Sequence, residues 1–401
     1  MASRYGECAV SLGLGLTRNS SFIACARNRT TKECSRVQSL AFHAFFAGWQ
    51  PIYSQQCFLK SAVCPENAAL LFERKTLASC TVNESLPTVT VIIAARPDMA
   101  EVTALAAARL LEYPPDKLEI ILARGRQPSV QRNAAIRAAA GDLVYFLDDD
   151  SIALPGNLRR GVAAFASADV KMVGGPSLCP PDAPMLEQAF ALTMGAWLAF
   201  FTSCARYRKV GKPRAASEKE LILCNLLARR DALLELGGFN EKLYPNEENA
   251  LMDELQNRGG KLLYDPELIV YRRPRATLKT FLRMLLNYGR GRAEQFRVYP
   301  TIHSAPNFVP PLFCLFLVLL PFLPRICWWM MAAYGAAVLV QTLVVLPLKK
   351  LHWFPAIAVL IFTTHFFYGL GFWRGCLTNP KPPTATVSAE VKLEKGQSFQ
   401  K

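Results

Sequence analysis

The sequence has few acidic residues relative to basic ones, and it lacks the cysteine spacing of a zinc site or a disulfide framework. Asp and Glu together number 31 against 46 Lys and Arg, which leaves a formal net charge of +15. This imbalance excludes an acidic solvating protein and indicates an anionic partner: nucleic acid, lipid headgroups or nucleotide phosphates. The 12 cysteines include no CxxC pair, so we expect reduced thiols in a protein that faces the cytosol.

A secretory signal is also lacking. The opening MASRYGECAVSLGLGL has no charged start followed by a clean apolar core. Residues 1–85 are rich in Cys, Ser and Arg and show no sustained periodicity. We treat them as an N-terminal extension, unassigned or disordered, with no predicted function.

From residue 86 the chain alternates between predicted strands and predicted helices. TVTVIIAA is a continuous, largely β-branched run, and KLEIILA and DLVYFL are further apolar runs. All three are typical of strands buried on both faces. The segments between them have helical spacing of apolar residues. This alternation predicts an α/β domain over residues 86–275 with a mostly parallel central sheet. Such folds bind ligands at the carboxyl ends of their strands.

Three aspartates follow the third strand directly, and a glutamate pair lies about a hundred residues later. In extended geometry Asp148 and Asp150 point to the same side, with Asp149 opposite. Two such carboxylates suit Mg²⁺ or Mn²⁺ and a substrate diphosphate; capping of the next turn is the alternative. Glu247 and Glu248 begin a predicted helix, where the helix dipole favours acids. They also suit a general base for an acceptor hydroxyl.

Two further segments indicate a membrane-proximal position. Residues 272–297 contain eight Arg or Lys and one acid, and their apolar residues fall on one helical face. This predicts a basic amphipathic helix in a membrane interface over residues 276–304; a solvated basic face is the alternative. Residues 185–207 are predicted to form one long apolar helix, close to the length of a membrane span. We favour a buried or interfacial helix over a span, because Glu187 and Gln188 shorten its apolar run.

The C-terminal part predicts about three transmembrane helices within residues 305–375. The apolar runs 307–324, 327–347 and 353–373 each approach the ~20 residues that cross a bilayer; the first is Pro-rich, and a re-entrant segment is its alternative. Lys349 and Lys350 place the second loop in the cytoplasm. This topology places the protein in the inner (cytoplasmic) membrane, with the catalytic domain on the cytoplasmic side. The tail, residues 376–401, is predicted to be disordered and to lie on the opposite side.

The chain from about Pro87 to Arg297 resembles a family 2 glycosyltransferase of the GT-A fold, of the membrane-attached bacterial polysaccharide type. The segments that carry the resemblance are VTVIIAARPD, QRNAAIRAAAGDLVYFLDDDS, GGFNEKLYPNEEN and YRRPRATLKTFLRMLLNYGRGR. The second is the most specific, with an Arg-Asn helix, a Gly-Asp and an apolar strand ending in D-x-D. The resemblance implies a nucleotide-diphosphate sugar donor, Mg²⁺ or Mn²⁺, and an inverting single displacement.

The resemblance also implies roles for individual residues. Glu248 takes the position of the catalytic base, with Glu247 as its companion. Asp148 and Asp150 become the metal ligands, and Asp148 also contacts the donor. The other donor-binding positions are Arg96, Asp98, Arg124, Arg126, Arg132, Asn133, Arg272, Arg290 and Arg292.

Three departures from the family pattern modify these expectations. Arg124 and Arg126 stand where relatives commonly have acids, so arginines are expected to grip the diphosphate. Tyr271 and Arg272 stand where many relatives have a histidine that helps hold the metal. Either fewer protein ligands hold the metal, or Arg272 supplies part of the positive charge. The Gln-x-x-Arg-Trp motif of processive synthases is absent, which favours addition of a single sugar.

These features predict transfer of one sugar to a lipid-linked or saccharide acceptor, in cell-surface polysaccharide biosynthesis. Two alternatives remain: transfer to polyisoprenyl phosphate itself, and a degenerate, non-catalytic fold that acts as a membrane assembly partner. A nucleic-acid partner is disfavoured because the basic residues cluster beside apolar spans rather than among aromatics. Membrane lipids are therefore the expected anionic partner.

Overall fold

The structure, a computed structural model, describes residues 86–243, 245–378 and 391–396. All of them belong to the second of two units in the chain, Thr81–Lys401. The predicted N-terminal extension, residues 1–85, lies outside the described residues.

The α/β domain is built on an eight-stranded sheet whose first strands coincide with the predicted apolar runs. The sheet order is β11 (Lys392–Lys395), β2 (Leu118–Arg124), β1 (Val89–Ala95), β3 (Leu143–Asp148), β8 (Leu226–Arg229), β5 (Val170–Gly174), β9 (Lys261–Tyr264) and β7 (Arg214–Ala215). Five of these described strands share one direction, whereas β7, β8 and β11 run antiparallel to their neighbours. The sheet is mixed: β2, β1 and β3 form one parallel group, and β5 and β9 form a parallel pair.

Both faces of this sheet are covered, because successive side chains on each strand point to opposite sides. On β1, Val91 and Ile93 join one apolar core and Ile92 joins the other. The helices that supply the covering layers are α1 (Thr103–Ala108), α2 (Pro128–Ala138), α3 (Asn157–Ala163), α6 (Arg230–Glu235) and α7 (Glu247–Asn257). This burial on both faces explains the continuous apolar runs in the sequence.

A second, three-stranded sheet lies at the carboxyl end of β3. It contains β4 (Ile152–Ala153), β10 (Val270–Tyr271) and β6 (Ser177–Leu178). Tyr271 pairs with Ile152 in antiparallel register. This pairing brings Arg272, the residue after β10, next to the aspartates that precede β4.

The predicted single helix over residues 185–207 is two helices joined by a sharp bend, so that prediction was wrong. They are α4 (Met185–Met194) and α5 (Trp197–Phe200), and the segments Met185–Met194 and Trp197–Arg206 are bent by 67°. The break falls at Ala196, whose backbone is extended at φ −76° and ψ 127°. The bend turns the aromatic residues of α5 toward the candidate site.

The C-terminal region contains four longer helices, α8 (Leu278–Val298), α9 (Val309–Leu319), α10 (Ile326–Val345) and α11 (Phe354–Leu377). Three segments are long and apolar enough to cross a membrane: Ser304–Phe322, Ile326–Val345 and Leu348–Leu377, with mean hydropathies of 1.8, 1.5 and 1.6. These confirm the three predicted apolar runs as helices of suitable length and composition. The bent segments Met185–Met194 and Trp197–Arg206 are also long and apolar enough to cross a membrane when they are taken together.

Helices α8 and α11 pack closely because glycines line their contact. A Cβ atom added to Gly371 would lie 2.1 Å from the Leu286 carbonyl oxygen, and one added to Gly375 would lie 2.3 Å from that of Arg290. Only glycine permits such an approach of one helix backbone to another. The two helices therefore lie side by side, with residues 286–297 of α8 along residues 368–377 of α11 and the following Thr378.

The tail differs from the predicted disordered segment over residues 376–401. Helix α11 continues to Leu377, and β11 adds an antiparallel edge strand to β2. The strand is held by backbone pairing and by charge, since Glu394 forms an ion pair with Arg124 at 3.1 Å and Lys395 one with Glu119 at 2.9 Å. Because one sheet cannot lie on both sides of a membrane, the prediction that the tail and the catalytic domain lie on opposite sides is wrong for this segment. Residues 379–390 and 397–401 lie outside the described residues.

Candidate active site

A cavity of about 1140 Å³ opens at the carboxyl ends of β1 and β3. The ends of these strands and the start of α2 form one wall. The start of α7, parts of α5, α8, α9 and α11, and residues between 202 and 224 form the others. The predicted acidic residues lie on it together: Asp148, Asp149, Asp150, Glu247 and Glu248. The position at the strand ends is the one that the strand pattern predicts.

Two arginines neutralise the aspartates. Arg132 on α2 donates to Asp148 Oδ1 at 2.7 Å, and Arg272 approaches Asp148 Oδ2 at 3.0 Å through Nη1. The Nε of Arg272 also donates to Asp150 Oδ1 at 2.6 Å. Burial acts to raise the pKa of Asp148, but Arg272 and Arg132 outweigh it and hold that pKa below its usual range.

Asp149 also lines the cavity, contrary to the expectation that it points away. That expectation assumed an extended chain through all three aspartates. Strand β3 ends at Asp148, and a turn follows in which the Ser151 amide donates to the Asp148 carbonyl at 3.0 Å. Burial, Asp150 and Asp148 together raise the pKa of Asp149, since the carboxylates repel one another.

Glu247 and Glu248 lie in different surroundings at the start of α7. Glu247 is only 3% exposed and accepts a hydrogen bond from Arg132 at 3.2 Å. Burial, with the neighbouring Glu248 charge, raises the pKa of Glu247 to about 8 despite this contact. Glu248 is partly exposed and accepts from Asn249 Nδ2 at 3.2 Å. The surroundings of Glu247 thus favour its protonated form.

The helix start is held in place by a close contact from α8. A Cβ atom on Gly291 would lie 2.4 Å from Asn246 Nδ2 and 2.6 Å from the Pro245 carbonyl oxygen. Asn246 itself has a left-handed backbone at φ 94°, which a non-glycine residue seldom adopts. Position 291 therefore requires glycine for a steric reason, which its place between two arginines in the sequence did not show.

Six of the predicted donor-binding arginines line the cavity: Arg96, Arg126, Arg132, Arg272, Arg290 and Arg292. Three other predicted donor residues do not. Asp98 is exposed and lies outside the lining. Arg124 is held by Glu394 and by the Met99 carbonyl at 2.7 Å.

Asn133 holds the GGF turn instead of facing the cavity. Its Nδ2 donates to the Phe239 carbonyl at 2.9 Å, and its Oδ1 accepts from the Phe239 amide at 2.8 Å. Gly238 has φ +82°, and a Cβ there would lie 2.4 Å from Asn133 Oδ1. Asn133 thus positions the loop that leads to α7.

The sequence reasoning missed several residues that line the cavity. Gln131 joins the ends of β1 and β2, donating to the carbonyls of Ala95 at 2.7 Å and Ala123 at 2.6 Å. Arg206 and Lys219 add positive charge to the lining. The two cations lie in no recognisable motif, whereas Gln131 immediately precedes the Arg-Asn pair that was singled out.

The cavity also has an apolar part. Trp197 and Phe201 line it with exposed fractions of 50% and 46%, and Val309 at the start of α9 is 65% exposed. Exposed aromatic and aliphatic side chains beside a charged site indicate a ligand with both polar and apolar portions. The first apolar helix that could cross a membrane thus begins at the cavity wall.

The two predicted metal ligands have only part of the geometry that a metal site requires. Asp148 and Asp150 converge, but the Arg272 guanidinium already lies between them. Among the residues that the structure describes, no group of three or more His, Cys, Asp or Glu is arranged to hold a metal ion. A divalent cation bridging the two aspartates would have to displace Arg272, so the donor set does not fit one as it stands.

Comparison with known proteins defines the class of this molecule. Residues 66–286 match the profile of the family described as glycosyltransferase like family 2, which is more than half of the chain. The chain belongs to this family and is a glycosyltransferase. The mixed sheet with both faces covered agrees with this assignment and confirms the predicted GT-A fold class.

Solved structures similar to this chain have low identities. The mannosyltransferase PcManGT from Pyrobaculum calidifontis, in complex with GDP-Man and Mn²⁺, is 16% identical, with a TM-score of 0.49, covering 73% of this chain and 87% of its own. Staphylococcus aureus TarS 1–349 in complex with UDP is 11% identical, with a TM-score of 0.37, covering 72% and 91%. A search of curated proteins found no match.

Proposed function

We propose that this glycosyltransferase moves a single sugar from a nucleotide-diphosphate donor to a lipid-linked acceptor at the cytoplasmic membrane, with inversion at the sugar carbon. The observation that carries the proposal is the composition of one cavity. It joins arginines and aspartates at the strand ends, two glutamates at a helix start and exposed aromatic side chains. Membership in a glycosyltransferase family supports the reaction class.

The donor end is the wall formed by the strand ends and α2. Its arginines, Arg96, Arg126, Arg132 and Arg272, carry the positive charge that a diphosphate requires. Guanidinium groups bind phosphate oxygens in pairs and suit this task better than point charges. Arg132 also holds Asp148 in a fixed orientation.

Glu248 is the proposed base, and its neighbour is the proposed companion. Burial raises the pKa of Glu247 and favours its protonated form, whereas Glu248 is partly exposed to the cavity, where it can meet the acceptor hydroxyl. Its carboxylate removes the proton of the acceptor hydroxyl as that oxygen attacks the anomeric carbon. The bond from that carbon to the diphosphate breaks, and the nucleoside diphosphate leaves with the electron pair beside the arginines.

The acceptor end explains the preference for a lipid-linked acceptor over a free saccharide. Trp197, Phe201 and Val309 offer apolar surface in the cavity. The segments that contain α9 and α10, Ser304–Phe322 and Ile326–Val345, are long and apolar enough to cross the bilayer. Transfer to polyisoprenyl phosphate itself is the second candidate. It is favoured by Arg206, Lys219, Arg290 and Arg292, cations that line the same cavity.

Contacts at both ends of α11 support a proposed arrangement in the membrane. Arg297 on α8 donates to the Thr378 carbonyl at 2.5 Å, just past the end of α11, and Lys350, just before its start, contacts Gln188 on α4. Strand β11 then pairs with β2. We infer that α9 and α10 cross the membrane as a pair and that α11 lies along α8 on the side of the catalytic domain.

Reporter fusions test this arrangement in bacterial cells. A green fluorescent protein after Lys401 should fluoresce, whereas alkaline phosphatase at the same place should be inactive, because the C-terminus lies inside. The reverse pattern would show an odd number of crossings and overturn the arrangement. Both reporters placed in the loop at Arg325 serve as the opposite control.

The transfer reaction is tested by a screen of nucleotide-sugar donors with purified protein and lipid-phosphate or lipid-linked saccharide acceptors. Glu248→Gln should reduce transfer at least ~100-fold, the usual contribution of a general base, and leave nucleoside diphosphate binding unchanged. Glu247→Gln is the matched neighbour and should retain most transfer near pH 7. Equal losses in both variants would contradict the assignment of the base. Donor binding without any transfer would favour the non-catalytic alternative.

A further inference from the structure

We propose that Arg272 takes the place of the divalent cation at the aspartate pair, so that the donor diphosphate binds this enzyme without a metal ion. The inference rests on the proposed function, because it concerns the same donor site. It differs from the expectation, raised by the D-x-D sequence, that Asp148 and Asp150 hold Mg²⁺ or Mn²⁺.

The position of the guanidinium is the first argument. It bridges the two carboxylates, at 3.0 Å from Asp148 Oδ2 and 2.6 Å from Asp150 Oδ1. The other oxygen of Asp148 is taken by Arg132 at 2.7 Å. Both Asp148 oxygens therefore have a cationic partner, and the space between the aspartates is filled.

The attachment of Arg272 to the fold is the second argument. Its backbone amide donates to the Leu178 carbonyl at 2.9 Å, directly after the pairing of β10 with β4 and β6. The side chain is about one quarter exposed. Displacing it would leave a partly buried guanidinium without its two carboxylates, which is unfavourable. The small sheet thus holds the cation in place.

The chemistry of the guanidinium is the third argument. Its contacts with the two aspartates use two of its five N–H donors, and the remaining three are enough for bidentate contact with phosphate oxygens. The two negative charges of Asp148 and Asp150 are balanced by the two positive charges of Arg132 and Arg272. The charge of an incoming diphosphate is then met by Arg96 and Arg126 at the same wall.

Binding of nucleoside diphosphates in the presence and absence of metal tests the inference. Titration calorimetry would use UDP and GDP with the full-length wild-type protein, in EDTA and in Mn²⁺. We expect the two dissociation constants to agree within about twofold, and Arg272→Ala to weaken binding by roughly tenfold or more under both conditions.

Arg272→His distinguishes donor binding through the guanidinium from donor binding through a metal ion. Histidine is a metal ligand, and it is the residue that many relatives have near this position. Its binding should become metal-dependent, with a dissociation constant at least ~10-fold weaker in EDTA than in Mn²⁺. Electron paramagnetic resonance of added Mn²⁺ gives a readout independent of the nucleotide. The variant should broaden the Mn²⁺ signal, whereas the wild type should leave it unchanged.

Arg273→His is the matched control, since that side chain faces Glu187 at 2.8 Å and does not line the cavity. It should behave as the wild type in both measurements. Wild-type binding that is lost in EDTA and restored by Mn²⁺ overturns the inference and leaves the proposed function intact. If neither nucleotide nor any other nucleoside diphosphate binds the wild type, the proposed function fails, and the inference fails with it.

Discussion

Arg132 is the residue whose removal tests the electrostatics of the site most directly. It is 6% exposed and lies between two acids, 2.7 Å from Asp148 and 3.2 Å from Glu247. In Arg132→Met the side chain keeps its approximate length but loses its charge. The variant leaves Asp148 with one cationic partner instead of two.

The expected magnitude follows from these contacts. At 2.7 Å, two unit charges attract by about 6 kcal/mol at an effective dielectric constant of ~20. The arginine no longer loses its hydration in the variant, so the net cost is smaller, about 3–5 kcal/mol for a partner removed from a buried pair. For a domain of this size that lowers Tm by roughly 10 °C. Glu247 contributes little, because its surroundings favour its protonated form.

The assay is thermal unfolding of the detergent-purified protein at several pH values, with Arg137→Met as control. Arg137 is an exposed residue on the same helix, so its replacement should change the free energy of unfolding by at most ~0.5 kcal/mol. The folded-state pKa of Asp148 is lowered, so its stabilisation is present above the unfolded pKa and is lost as pH falls through the folded value. The difference between Arg132→Met and wild type should therefore shrink in acid. A Tm within about 2 °C of wild type at pH 8 would refute the reasoning.

Three further predictions concern other contacts. Glu247→Gln should raise the free energy of unfolding at pH 8 and lose that gain below pH ~4.5, because the raised pKa of Glu247 costs stability as pH rises from the unfolded to the folded value; unfolding measured at both pH values checks the sign. Gly291→Ala should lower kcat at least several-fold with an unchanged Kd for nucleoside diphosphate, because the new methyl meets Asn246 and shifts the start of α7; an unaltered kcat contradicts this. Gly371→Leu should separate α11 from α8, since even a Cβ lies 2.1 Å from the Leu286 carbonyl; limited proteolysis should then cleave this region faster than in wild type.

The local patterns of the chain were sufficient to predict the elements of the site. Apolar runs predict the strands, and the abrupt change to three aspartates marks the carboxyl end of β3. The helix starting at Glu247 was also predicted from its acidic beginning. These signals are short-range, because burial on both faces and helix-end preferences act within a few residues.

Which side chains enter the cavity could not be predicted in the same way. Arg124 and Asn133 lie in motifs that indicated donor binding, yet one holds the edge strand and the other holds the GGF turn. Their directions depend on partners about 100 to 270 residues away. Pattern and spacing carry no information about such distant contacts.

The sequence alone determined an α/β domain with an acidic strand end, a basic helix and three apolar helices, because composition and periodicity report burial and charge locally. Its motifs added a resemblance to family 2 glycosyltransferases. Only the tertiary structure decided that Arg272 fills the space between Asp148 and Asp150, since this requires β10 to pair beside β4. It also decided that the tail returns to the sheet through β11. Both results depend on strand pairing between distant segments, which sets side-chain positions that no local pattern encodes.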